Sequence, residues 1–144
     1  GALTAILDAS AFAVVSLEGP CERQAQLTFA ITRHTIVDLA QIFNCRPHKP
    51  KHDRLTPEEL ARLRAILKEA GLKLREGHEV DQKLSDLRQM YEPYVYSLSS
   101  YLHIVVPSWI LKASRMDNWQ TSAWGRSKGF QIDRPSDSVQ DEHF

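Results

Sequence analysis

PCERQAQLTFAITRHTIVDLAQIF, residues 20–43, is apolar on more than one side of a helix and yet carries Arg23, Arg33, His34 and Asp38. Ala25, Phe29, Ile36, Ala40 and Phe43 recur at helical spacing along one side, and Leu27, Ile31 and Ile42 along another. The pattern predicts a long helix with neighbours on several sides, one that belongs in the middle of a bundle. Charge enclosed there must be paired, so the four polar residues form either a structural lock or the start of a functional site.

Working back from this stretch, Gly19-Pro20 ends one helix and begins the next, since Gly supplies the stop and Pro tolerates a first helical turn. The preceding segment places Leu3, Leu7, Ala11, Val14 and Leu17 at helical spacing, with Ile6, Phe12 and Val15 widening the stripe. So short a connection predicts an antiparallel hairpin. Asp8 falls among the apolar residues of this first helix and needs a partner. Counting back from the turn sets it level with about residue 30 of the second helix, so the expected partner is Arg33 or His34. His34 and Asp38, four apart, can also pair with each other. Asp8, Arg33, His34 and Asp38 are therefore read as one structural polar lock.

Working forward, NCRPHKPKHD (residues 44–53) breaks both helical and strand periods and predicts the most flexible internal segment. Thr56-Pro57-Glu58-Glu59 is a helix start, because Thr56 caps orphan N–H groups and Glu59 reaches back as the third helical residue. The third helix buries Leu60, Leu63, Leu67 and Ala70 and stops at Gly71. A fourth follows Gly77 with Val80, Leu84, Leu87, Tyr91, Tyr94, Leu98 and Tyr101 in a heptad seam, bent near Pro93. Pro107-Ser108 predicts a short additional C-terminal helix holding Trp109. The fold class is thus all-α: an antiparallel four-helix bundle over residues 1–112, a short extra helix, and an irregular tail over 113–144. Trp119, Trp124 and Phe130 are unusual in a free tail and argue that it packs on its own domain or on another copy.

The chain's 144 residues suffice for one hydrophobic core and are short for two. Net charge is zero but uneven: Lys and Arg stand nine against four acidic residues over 46–75, and two against five over 76–92. The basic middle reads as a solvated face or as a patch attracted to anionic lipid headgroups. It lacks interleaved aromatic residues, which argues against nucleic acid. Two cysteines, Cys21 and Cys45, make no disulfide framework and favour a reducing compartment. The opening at Gly1, without an initiator Met, reads as part of a longer protein.

Candidate chemistry is sparse. Cys45, His48 and His52 are ligand types at workable spacing for zinc, but no fourth ligand accompanies them, and none of the three is assigned to a metal. His34 lacks the sequence context of a phosphotransfer histidine. A Gly-rich phosphate loop, a nucleophile elbow and a paired-carboxylate arrangement are all missing, so the sequence predicts neither an enzyme nor a cofactor.

LDASAFAVVSLEG (7–19), followed by RQAQLTFAITRHTIVDLAQIF (23–43), LTPEELARLRAILKEAGL (55–72), YEPYVYSLSSYL (91–102) and VPSWI (106–110), resembles the soluble region that follows the pore segments in bacterial two-transmembrane, potassium-channel-like membrane proteins. The resemblance covers about residues 3 to 111 and is carried by Arg23, Phe29, Arg33, His34, Asp38 and Tyr91-Glu92-Pro93-Tyr94. It implies a non-catalytic regulatory or assembly domain at the cytoplasmic face of the cell membrane. Its partners would be its own upstream transmembrane segments and further copies of itself, with the basic face of the third helix near anionic lipid. The alternative is a free-standing helical adaptor that binds a partner protein through Tyr91, Tyr94, Tyr101, Trp109, Trp119 and Trp124.

Overall fold

The computed structural model describes residues 1–50 and 52–110. Within them the chain forms five helices and no strand: α1 (Ala2–Ser16), α2 (Glu22–Ile42), α3 (Pro57–Glu69), α4 (His78–Gln89) and α5 (Glu92–Leu102). The all-helical class expected from the sequence is what these residues adopt. The expectations for the tail over 113–144, including Trp119 and Trp124, lie outside the described residues.

The helix at the centre is α1, not α2. Eight of the fifteen α1 residues are buried, against four of the 21 in α2, and α1 packs on both α2 and α4. Asp8 is the one charged residue of α1, so the helix can be enclosed at the cost of pairing a single carboxylate. α2 turns Phe29, Ile36 and Ala40 into the core and leaves Leu27, Ile31 and Ile42 exposed on its other side. Its second apolar stripe therefore has no neighbour among the described residues. After α3, residues 73–75 run antiparallel to the end of α1, with Arg75 N–H donating to the Ser16 carbonyl at 2.7 Å and Glu18 N–H to Lys73 at 3.2 Å.

The start of α3 forms as its sequence dictates. The Thr56 hydroxyl accepts from the Glu59 N–H at 3.3 Å and the Glu59 carboxylate from the Thr56 N–H at 3.1 Å. None of its residues is fully buried, and Leu60, Leu63 and Leu67 are only half enclosed. A weakly docked helix depends on its own cap. Replacing Thr56 by Ala is expected to cost about 1 kcal/mol locally, and amide exchange across 57–69 should quicken by about fivefold while the core amides stay protected.

The expected fourth helix divides. α4 ends as the Tyr91 N–H turns back onto the Arg88 carbonyl at 3.2 Å, and α5 begins with Pro93 in its first turn. Within a continuous helix Pro93 would lack a hydrogen bond and press on the carbonyl of Gln89; in a first turn it costs nothing. The break splits the heptad seam, enclosing Leu84, Tyr91 and Leu98 and leaving Tyr101 55% exposed. The expected extra helix at Pro107 is also corrected, since residues 104–110 are not helical. His103 closes α5 in the left-handed conformation at φ 53°, and the Pro107 carbonyl accepts from the Arg54 side chain instead of from a helical N–H. No helix among the described residues is long and apolar enough to cross a membrane.

Candidate functional site

The charged centre of the molecule is assembled from five separate segments. α1 supplies Asp8; the connection before α3 supplies Asp53 and Arg54; α4 supplies Arg88; the α4–α5 junction supplies Tyr91 and Glu92; and the segment after α5 supplies Pro107 and Trp109. Arg54 is the hub. Its guanidinium grips Asp8 with two bonds of 2.9 and 2.8 Å, donates to Glu92 at 2.9 Å and to the Pro107 carbonyl at 2.9 Å. The side chains of Arg54, Asp8 and Glu92 are each 8% exposed.

Arg88 completes the group. It donates to Glu92 at 3.1 Å, one helical turn onward, and to Asp53. Asp53 also accepts the Leu55 N–H at 2.9 Å, which anchors the chain where it enters α3. The Tyr91 hydroxyl donates to Asp8 at 2.5 Å, and its fully buried ring meets Phe29 edge-on at 5.9 Å between centroids. The Trp109 ring lies 5.8 Å from both the Arg54 and the Arg88 guanidinium, within range of cation–π attraction.

The electrostatics follow from this enclosure. Burial works against the Arg54 charge, but the bonds to Asp8 and the charges of Asp8 and Glu92 outweigh it and raise the guanidinium above its ordinary value. Arg88 is raised against burial in the same way by Asp53 and Glu92. Asp53 is lowered, because the Arg88 bond and the Leu55 N–H exceed the effect of its burial. Burial, then the Asp8 carboxylate, push the Tyr91 phenol up from the ordinary 10.0. Folded Tyr91 keeps its proton where an unfolded chain releases it, so stability is fully present below about pH 10 and declines as pH rises further. An alkaline titration should show the last tyrosine ionising together with the loss of helical circular dichroism, and Tyr91→Phe should remove that shared step.

The polar lock expected from the sequence is present with different members. Asp8 is buried as expected, but its partners are Arg54 and Tyr91. Arg33 donates to the Met90 carbonyl at 3.3 Å, the His34 ring nitrogen Nδ1 lies 2.8 Å from the Ala30 carbonyl, and His34 and Asp38 face solvent. Level along a hairpin is not enough for contact; the rotation of each helix decides it, and Asp8 faces Tyr91 rather than the outer side of α2. Residues 44–53, expected to be the most flexible internal segment, belong to the connection that delivers Asp53 and Arg54, and the His48 N–H donates to the Pro93 carbonyl at 3.3 Å.

Cys45, His48 and His52 do not form a cluster, and no group of three or more His, Cys, Asp or Glu side chains among the described residues is placed to hold a metal ion. Tyr91 is core and Tyr94 and Trp109 are half-buried, which leaves Tyr101 as the exposed member of the aromatic set among the described residues. Of the nine basic residues over 46–75, Arg54, Arg64, Lys68 and Arg75 already pair with carboxylates, which dilutes the basic patch.

Two hollows flank the charged centre. One of about 380 Å³ is lined by Lys49, His52, Asp53, Arg88, Gln89 and Glu92; the other, of about 460 Å³, is apolar and lies between α1 and α3, with Phe12, Leu63, Leu67 and Trp109 in its walls. Both Asp8 oxygens are taken by donors, and Glu92 is held between two guanidinium groups. With its charges bonded to one another across five segments, the arrangement is suited to joining those segments. Comparison of the chain with protein-family models, with curated proteins and with solved structures returns no match.

Proposed function

We propose that the chain is a non-catalytic regulatory or assembly domain of an ion-channel-like bacterial membrane protein, folded as an antiparallel helical bundle on the cytoplasmic side. The observation that carries the reading is the polarity of α1. Thr4, Asp8, Ser10 and Ser16 are buried, while Ala2, Ala5, Ile6 and Ala9 are exposed. α1 thus encloses its polar residues together with Leu7, Ala11, Phe12 and Val15, and the strip it leaves to solvent is apolar, which suits a surface that another protein element covers. The charged groups of the interior, meanwhile, are spent on one another. The membrane part of the reading is supported by the resemblance of residues 3 to 111 to the region behind a potassium-channel-like pore, in which an upstream transmembrane helix leads into α1.

The adaptor reading has less to work with, because Tyr91 is enclosed and Tyr94 half-buried. The test is the complete reading frame, expressed with a C-terminal tag and fractionated. The product is expected in the washed membrane fraction and, after reconstitution in liposomes, to carry a cation flux that changes when Arg54 is replaced by Ala. Recovery of the complete product wholly as a soluble protein overturns the membrane reading.

A further inference from the structure

Directly opposite its core face, α2 carries Arg23, Leu27, Ile31, His34, Asp38 and Ile42 on a single side. At about 100° per residue these six positions fall within roughly 100° of arc, away from Phe29, Ile36 and Ala40. Leu27 is 50%, Ile31 67% and Ile42 74% exposed. Three large aliphatic side chains aligned on the solvent side of one helix form a ridge, unlike apolar residues scattered singly over a surface. Arg23 and Asp38 stand toward its two ends, and neither forms an ion pair among the described residues.

We infer that this ridge is a self-association surface on which α2 packs antiparallel against α2 of a second copy, about a two-fold axis near residues 30 and 31. Charge selects both the partner and the direction. Arg23 and Asp38 are fifteen residues apart, or about 22 Å along the helix. Reversing the partner about their midpoint sets Arg23 opposite Asp38 of the second copy twice over, once on each side of the axis. A parallel pairing would oppose Arg23 to Arg23 and Asp38 to Asp38, which like charges disfavour.

The same register places Ile31 beside the axis, where it meets its own counterpart. Leu27 falls opposite His34, and Ile42 reaches the exposed turn at Gly19 and Pro20. A shallow crossing of about 20° is needed for the whole ridge to engage, as in other long antiparallel helix pairs. The opposition of i with j and j with i is what a two-fold interface requires.

This inference deepens the assembly reading and is independent of its membrane part, so it is tested on the 144-residue chain alone by light-scattering mass across the micromolar range. The wild-type chain is expected at twice its 16.4 kDa. Ile31→Glu, and Ile42→Glu as a second variant should the first misfold, are expected to be monomeric with unchanged helical circular dichroism. Arg23→Asp and Asp38→Arg should each weaken self-association by about tenfold or more. Mixing these two single variants should restore the dimer, because every opposed pair is then Asp against Arg. A monomeric wild type, Ile31→Glu and Ile42→Glu variants that still dimerise, or a mixture that fails to recover would overturn the proposal. None of these results bears on whether the complete product enters a membrane.

Discussion

Arg54→Ala is expected to destabilise the fold by about 3–5 kcal/mol, the cost of removing one partner from an enclosed ion pair. Arg88 still compensates Glu92 in this variant, but Asp8 is left inside α1 with only the Tyr91 hydroxyl as donor. Equilibrium urea unfolding at neutral pH measures the loss. Asp8→Ala should cost less, because the guanidinium keeps its bonds to Glu92 and to the Pro107 carbonyl. Arg33→Ala, at a half-exposed residue that donates a 3.3 Å bond to the Met90 carbonyl, is expected within about 0.5 kcal/mol of the wild type. If Arg33→Ala proved the costlier change, the assignment of the hub to Arg54 would fail.

Tyr91→Ala is expected to cost about 3–5 kcal/mol, the range for emptying a buried aromatic site. The ring is fully enclosed, packs edge-on against Phe29, and sits at the break between α4 and α5. Tyr91→Phe keeps the packing and removes one donor from Asp8, which retains both bonds from Arg54. It should therefore cost about 1–2 kcal/mol. The gap between the two variants, read from urea midpoints at constant slope, separates the contribution of the ring from that of the hydroxyl. Equal losses would mean that the hydroxyl, not the packing, accounts for the effect.

Much of the helical layout was legible in the residues. Thr56-Pro57-Glu58-Glu59 announces the start of α3, and Gly71 takes a positive φ of 85° just past its end. The burial of Asp8 followed from its apolar neighbours alone. The division at Pro93 was half legible: proline signalled an interruption, but whether a helix bends or restarts depends on what the flanking side chains can bury. The centrality of α1 was misread because a long helix with two apolar stripes looks more enclosed than a short one with a single carboxylate. The exposed stripe of α2 shows that apolar periodicity reports which faces can be covered and says nothing of when the same chain covers them.

Arg54 carried no local signal. It ends a run of charged and turn residues, Lys49 to Arg54, that looks like any solvated loop, and its partners lie 46 positions back and 38 forward. Arg88 and Glu92, spaced by one turn, were closer to legible as a pair. By itself the sequence determined the turn between α1 and α2 and the two ends of α3, because capping, proline and glycine act within a few residues. It also determined that Asp8 had to meet a cation, because an apolar helix face leaves a carboxylate no other compensation. Which cation it meets was decided by tertiary structure alone, since that depends on the rotation of α1 about its axis and on the path of residues 44–56, and both are set by how the whole core packs.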